Sequence, residues 1–190
     1  MFKAIRAVWN AGGTVTSPHS FDMQAFGTAV DARRRDQELS WEALAAAVWD
    51  QSHVLNARDH SHPINASTIR NLAEAGDISC QHALFLLRWL GVPPETFIVS
   101  PASQTAGVPL PPADNAHRLR WDLRRLYDSL NDARMLRGAT WKQAASDLHC
   151  TTSQIAGLKN VKFAISMRLA MRITQSLQRP SADFIYAAEW

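Results

Sequence analysis

Residues 141–160 read WKQAASDLHCTTSQIAGLKN, and this stretch decides the fold of the chain. Thr140 is a good N-cap for a helix over residues 141–148, because its hydroxyl can accept a hydrogen bond from a free N–H group of the first turn. Thr151 or Thr152 can cap a second helix that ends near residue 160. The stretch therefore predicts two short helices joined by a tight turn.

The same order of features occurs twice in the chain. Residues 40–45, SWEALA, align with residues 140–145, TWKQAA, at an offset of 100 positions. A second block aligns at an offset of 87 positions. It pairs Ser79, Ala83, Leu86, Leu90, Pro93, Phe97 and Ile98 with Ser166, Ala170, Ile173, Leu177, Pro180, Phe184 and Ile185. Two blocks in the same order predict two related copies of one small domain.

Each copy is predicted to contain about five helices. In the second copy an apolar stripe at three- and four-residue spacing consists of Leu119, Leu123, Leu126 and Leu130. Gly138 ends that helix, Ser166 caps a fourth, and a short fifth begins near Pro180. Alternation typical of strands is scarce, so the predicted fold class is all-α.

Prolines divide the chain. No helix can run through residues 99–115, which contain Pro101, Pro109, Pro111 and Pro112. We expect an N-terminal leader over residues 1–21, interpreted as disordered, and a first helical domain over residues 22–98 with an insertion at about 49–63. A Pro-rich linker over 99–115 then leads to a second helical domain over residues 116–190.

Residues 141–160 resemble the helix-turn-helix of the phage Cro and repressor type, also called the xenobiotic response element family. That pattern has a small residue at its fifth position, where the helices cross closely, and Ala145 occupies it. Its apolar positions hold Ala144, Leu148, Cys150, Ile155 and Leu158. In the first copy Ala45 fills the small position, and Leu44, Val48, Ile69 and Leu72 fill apolar positions. The ninth position, usually glycine because the turn needs a positive φ, is His149. The resemblance covers roughly residues 24–98 and 115–186, and implies two five-helix domains of this type in tandem.

The resemblance also implies a function. The chain is expected to be a bacterial, sequence-specific transcription regulator that binds double-stranded DNA, with repression as the expected direction. The third helix of each copy would enter the major groove. The expected DNA contacts of the second copy are Thr151, Thr152, Ser153, Gln154, Lys159, Asn160 and Lys162. Those of the first copy are Asn65, Ser67, Thr68, Arg70 and Asn71. Ala156 and Gly157 leave the second copy with fewer side chains that can read bases. The first copy has Arg70 and Asn71 instead, and these residue types form paired hydrogen bonds with guanine and adenine.

The insertion distinguishes the first copy. It has 20 residues between Val48 and Ile69, where the second copy has six in the same place. We expect the extra residues to extend the second helix through Val54 and Leu55, followed by a loop over residues 59–63.

Two other functions stay open. Glu74 and Asp77, close to the third helix of the first copy, favour a protein-interaction module such as an antitoxin or adaptor. The insertion also carries His53, Asp59, His60 and His62, which are candidates for a metal site in a metal- or ligand-responsive regulator. A polar loop is the default interpretation of such a segment, so we predict no metal and no cofactor.

Two further features need an interpretation. Trp41 and Trp141 are expected to pack over their own domains, because tryptophans usually bury their rings. The run Arg33–Arg35 forms a solvated helix face or reaches a phosphate.

Composition sets the remaining expectations. The net charge is +3, with 8 Lys/Arg against 10 Asp/Glu in residues 1–100 and 12 against 7 in residues 101–190, and a basic half suits phosphate contacts. Cys80 and Cys150 form no CxxC pair, and no secretory signal is visible, so we expect a cytoplasmic, nucleoid-associated protein. No long apolar run suggests a membrane, and no catalytic constellation suggests an enzyme. A homodimer stays open, because a tandem chain can present two reading helices by itself.

Overall fold

The structure, a computed structural model, describes residues 20–58, 64–72, 74–99, 108–160 and 165–189. Helices dominate these residues, and one small antiparallel sheet accompanies them. The predicted predominance of helix is confirmed. Most of residues 1–21, the predicted leader, lies outside the described residues, but Phe21 is fully buried and belongs to the core.

The elements occur in two series. The first series consists of α1 (Met23–Asp36), α2 (Trp41–Asp50), α3 (His53–Asn56), α4 (Ala66–Arg70), α5 (Cys80–Leu90) and a 3-10 helix (Pro94–Phe97). The second consists of β1 (Arg118–Trp121), α6 (Leu123–Leu136), α7 (Trp141–Asp147), α8 (Thr152–Asn160), α9 (Met167–Ser176), a 3-10 helix (Ser181–Phe184) and β2 (Ile185–Ala188).

Equivalent side chains begin the equivalent helices. Asp22 caps α1 and Asp122 caps α6, and each carboxylate accepts a hydrogen bond of 2.8 Å from a first-turn N–H. The predicted cap at Thr140 is confirmed as a capping box with Gln143. Ser166 caps α9 as predicted, and its counterpart Ser79 caps α5. Local chemistry thus starts the same helices at the same places in both series.

The insertion departs from expectation. We expected the second helix to continue through Val54 and Leu55, but α2 ends at Asp50 and these residues lie in the separate α3. Ser52 interrupts the helix with a φ of −126° and is buried, where its hydroxyl donates to the His117 carbonyl at 2.7 Å. The expected loop over residues 59–63 lies outside the described residues.

The sheet was not predicted from the sequence. β1 pairs antiparallel with β2, with Trp121 opposite Ile185, and the matching positions of the first series form the single bridge Phe21–Ile98. Three of the four β1 residues are buried, so the strand lacks the alternation that would have identified it. The apolar C-terminal segment therefore docks on its own chain.

Both series share one hydrophobic core. Phe21, Phe26 and Phe97 form an aromatic cluster in the first series, and the buried residues continue without a break to Leu126 and Phe184 in the second. α5 packs against both α9 and β1. Apolar burial of this extent is the main stabilising term of such a fold.

Part of the predicted linker is anchored. The Arg88 guanidinium donates to the carbonyls of Ala113, Asp114 and His117 at 2.8–2.9 Å. Asn115 accepts from the Val54 N–H at 3.2 Å, so the insertion holds the same segment. Residues 113–117 are therefore positioned by the first series, whereas residues 100–107 lie outside the described part of the chain.

Candidate nucleic-acid interface

The turn between α7 and α8 has the geometry that the resemblance implies. His149 has a φ of 48°, in the left-handed region, as expected for the position that is usually glycine. The Cys150 N–H donates to the Ala145 carbonyl at 2.9 Å and closes the turn. Ala145 is 4% exposed, so a larger side chain there would push the two helices apart. The small residue and the positive φ therefore set the angle at which α8 leaves the turn.

α8 is anchored on one side and exposed on the other. Ile155 and Leu158 are buried against α6 and α7, whereas Thr151, Thr152, Ser153, Gln154, Ala156 and Lys159 are exposed. The polar residues predicted to face DNA are thus brought together on one surface. Asn160 ends α8, but its side chain and the whole of Lys162 lie outside the described part of the structure.

Gln154 has a local role. Its Oε1 accepts hydrogen bonds from the Thr151 N–H at 2.9 Å and from the Thr151 hydroxyl at 3.3 Å. The Gln154 N–H donates in return to the Thr151 hydroxyl oxygen at 3.2 Å. This reciprocal capping box defines the start of α8 and engages the Gln154 Oε1, so that oxygen would have to leave Thr151 before it could contact a base.

α4 is the counterpart of α8 in the first series. It packs against α1 and α2, as α8 packs against α6 and α7, and Ile69 and Leu72 are each 1% exposed. Asn65 caps α4 through its Oδ1, which accepts from the Thr68 N–H at 2.9 Å and from the Ser67 hydroxyl at 2.7 Å. The three predicted contact residues at this helix start are therefore bound to one another.

Arg70 and Asn71 remain exposed beyond these capping interactions. They follow the buried Ile69 directly, at the positions that Ala156 and Gly157 occupy after Ile155. The two series thus present different chemistry on the same face. A guanidinium and an amide lie at the end of α4, and a methyl group and a glycine lie within α8.

An open depression lies beside α4. Its volume is about 290 Å³, and its lining includes Ser67, Thr68, Asn71 and Asp77. Glu74 is exposed nearby, so the local charge is more acidic than around α8, which carries the exposed Lys159. The two candidate surfaces therefore differ in charge as well as in side-chain chemistry.

The tryptophan and arginine residues support each series from within. The Arg34 guanidinium lies 4.4 Å from the Trp41 ring and donates to the Leu39 carbonyl at 2.6 Å. Arg134 makes the same two contacts, since its guanidinium lies 4.5 Å from the Trp141 ring and donates to the Ala139 carbonyl at 2.7 Å. The prediction that each tryptophan packs over its own series is confirmed. Sequence reasoning missed its arginine partner, although both residues recur at the offset of 100 positions.

The arginine run is therefore mostly engaged in structure. Arg33 donates to the Leu90 carbonyl at 2.7 Å, and Arg34 holds Trp41. Arg35 is 71% exposed and pairs with Asp31 at 2.6 Å. Of these three side chains, Arg35 is the one whose guanidinium faces solvent.

The histidines of the insertion are only partly described. The His53 ring lies 3.2 Å from the Asp50 carbonyl and 3.4 Å from the Asn115 amide. Asp59, His60 and His62 lie outside the described residues. Among the residues that are described, no group of three or more His, Cys, Asp or Glu side chains could hold a metal ion. The metal site through the insertion stays an untested hypothesis.

Burial determines the chemistry of the two thiols. Burial raises the pKa of the Cys150 thiol in the turn, which fits a small apolar filler. Burial likewise raises the pKa of Cys80 to about 12. Neither thiol is arranged as a nucleophile.

Across the described residues, every helix is too short or too polar to cross a membrane. Comparisons with known proteins add nothing to the site, since no family model, curated protein or solved structure matches this chain.

Proposed function

We propose that this chain is a sequence-specific transcription regulator that binds double-stranded DNA and acts as a repressor. In this proposal α2 with α4, and α7 with α8, are two helix-turn-helix units in tandem. One observation carries it. α8 follows a turn with a positive φ at His149 and packs on the core through the buried Ile155 and Leu158. Its opposite face is polar and exposed.

The dimensions of α8 suit the major groove. An α-helix with its side chains is about 10–12 Å across, and the B-DNA major groove is about 12 Å wide, so the groove admits one helix. The hydroxyls of Thr152 and Ser153 at the helix start would approach phosphates and base edges, with Lys159 on a phosphate near the other end. These contacts would supply affinity more than base selection.

α4 would supply the base selection. The Arg70 guanidinium can donate two hydrogen bonds to guanine O6 and N7, and the Asn71 amide can pair with adenine N6 and N7. Both side chains are exposed, whereas the preceding residue, Ile69, is buried in the core. The proposal places the chain in the cytoplasm, in association with the nucleoid.

The test is selection of bound duplexes from a random library, followed by fluorescence anisotropy over a range of salt concentrations. Lys159→Ala should lower the slope of log K against log salt by about 0.9 per lost phosphate contact. Arg124→Ala is a charge-matched control, because Arg124 is exposed and pairs with Asp128 on α6. Arg70→Ala should reduce discrimination at one base position by about 1–3 kcal/mol. The absence of binding even at low salt would refute the proposal.

Repression has its own measurement. A reporter gene with the selected sequence across its promoter should lose expression when the chain is produced, and should regain it with Arg70→Ala. Increased expression with the unmodified chain would show that the direction is activation.

The acidic surroundings of α4 favour a second candidate, a protein-interaction module of the antitoxin or adaptor kind. Asp77 lines the open depression beside α4, and Glu74 is exposed close to it. Such a surface would repel phosphates and suit a basic partner. If Arg70→Ala leaves DNA affinity and base preference unchanged while Lys159→Ala weakens binding, α4 belongs to a protein interface instead.

A further inference from the structure

The two series meet through a pair of reciprocal hydrogen bonds. The Cys80 N–H donates to the Ile165 carbonyl at 2.8 Å, and the Met167 N–H donates to the Ile78 carbonyl at 2.7 Å. In the repeat offset of 87 positions, Ile78 corresponds to Ile165 and Cys80 to Met167. Each bond is therefore the counterpart of the other.

Reciprocity of this kind is the signature of a twofold contact, in which one surface binds its own equivalent. The axis passes between Ser79 and Ser166, which oppose each other as an antiparallel bridge. The same serines cap α5 and α9, so the N-terminal ends of these helices meet at the axis. The chain thus contains an approximate internal dyad.

The dyad relates α4 to α8, because each packs against the first two helices of its own series and each series meets the axis through the equivalent serine. A half-turn that exchanges them also reverses their direction along any DNA lying across the axis. Two reading helices related in this way face an inverted pair of half-sites, whereas a direct repeat would need a translation between them.

Where two reading helices related by a twofold axis bind one face of B-DNA, their half-sites lie about 34 Å apart, which is one helical turn. We therefore expect the two half-sites of this chain at that spacing.

We infer that one chain, acting as a monomer, recognises an inverted pair of unequal half-sites about one helical turn apart. This inference rests on the proposed DNA-binding function. The half-sites are unequal because Arg70 and Asn71 on α4 face one, whereas Ala156 and Gly157 occupy those positions on α8. The half-site under α4 carries most of the sequence preference, and the half-site under α8 tolerates substitution.

The test uses the full chain and duplexes with a 30-base-pair random core. The enriched sequences should contain one strong half-site and, 10 or 11 base pairs away, a second half-site with a weaker preference. Native mass spectrometry should find one chain per duplex. Adding five base pairs between the halves should weaken binding tenfold or more, and reversing the weaker half-site should weaken it by a smaller factor.

The outcomes separate the inference from the proposal on which it rests. Duplex binding that is indifferent to half-site orientation and spacing would overturn the internal-dyad inference but leave DNA binding intact. Two chains per selected duplex would overturn the monomeric mode. No enrichment of any duplex would refute the proposed function, and the inference with it. As a matched comparison, Arg70→Ala should weaken the preference at one base position of the strong half-site, and Arg124→Ala should leave it unchanged.

Discussion

A buried carboxylate joins the two 3-10 helices, and its removal should weaken the whole fold. Glu95 is 7% exposed, and Ser181 is fully buried. Glu95 Oε1 accepts from the Ser181 N–H at 2.7 Å, and Oε2 accepts from the Ser181 hydroxyl at 3.0 Å. Both polar groups of the serine therefore depend on one partner that lies 86 positions away.

The expected cost follows from these two bonds. A hydrogen bond to a charged group contributes about 1.5–3 kcal/mol, and an unpaired buried donor costs about 1–3 kcal/mol. Glu95→Ala leaves both donors of Ser181 unpaired but also relieves the burial of a carboxylate. We expect a net loss of about 3 kcal/mol, which for a chain of this length lowers Tm by about 6–12 °C.

Urea denaturation at neutral pH, followed by circular dichroism, measures this loss. Glu95→Gln is the informative companion, because its amide oxygen can accept from the Ser181 N–H while its NH₂ donates to the hydroxyl oxygen. We expect that variant to lose about 1 kcal/mol or less. Asp128→Ala, which removes an exposed carboxylate from α6, is the control. If Glu95→Ala unfolds at the same urea concentration as the control, or if Glu95→Gln loses as much as Glu95→Ala, the reasoning is refuted.

Three further predictions concern single residues. Gly138→Ala should cost about 1 kcal/mol, because φ at this position is 64° and a side chain is strained there, although the added Cβ would meet no atom within 4 Å. Glu38 has the equivalent φ of 55°, so Glu38→Gly should stabilise the fold. Urea denaturation measures the sign of both changes, and equal signs would contradict this role of the backbone. Because Asp114 accepts a hydrogen bond from the His117 ring at 2.6 Å, the His117 pKa lies above 6.5 and the Asp114 pKa below 3.8. NMR titration should show the His117 pKa falling towards 6.5 in Asp114→Asn. The free energy of unfolding that the pair contributes should be fully present between pH 3.8 and pH 6.5. It should be lost as the pH rises through the His117 pKa or falls through the Asp114 pKa. The Cys80 thiol, with its pKa raised to about 12, should resist a thiol reagent at pH 8 until the chain unfolds, as peptide mapping would reveal; rapid labelling of the folded chain would contradict its burial.

Local patterns predicted much of the candidate site. Thr140 and Ser166 cap the helices that the sequence assigned to them, and His149 adopts the positive φ that its place in the turn requires. The buried positions Ile155 and Leu158 followed from spacing along one helix. These features depend on neighbours within four residues, so they could be inferred without the fold.

Side-chain availability was harder to predict. Gln154 and Asn65 were expected to contact DNA, yet both side chains are engaged in capping their own helices. Both residue types serve equally in caps and in base contacts, so the sequence pattern could not distinguish the two uses. The interrupted helix at Ser52 likewise depends on the carbonyl of His117, which lies far along the chain.

The sequence by itself determined that this chain is largely helical and repeats one order of capped helices, since an N-cap, a turn glycine and an apolar stripe act within a turn or two. Only the tertiary structure decided the pairing of β1 with β2, the Glu95–Ser181 contact and the dyad between Ser79 and Ser166. Each of these joins segments that are more than sixty positions apart, and neither partner carries a local signal of the other. Their approach depends on how the shared core brings the two series together, which is a property of the whole packed chain.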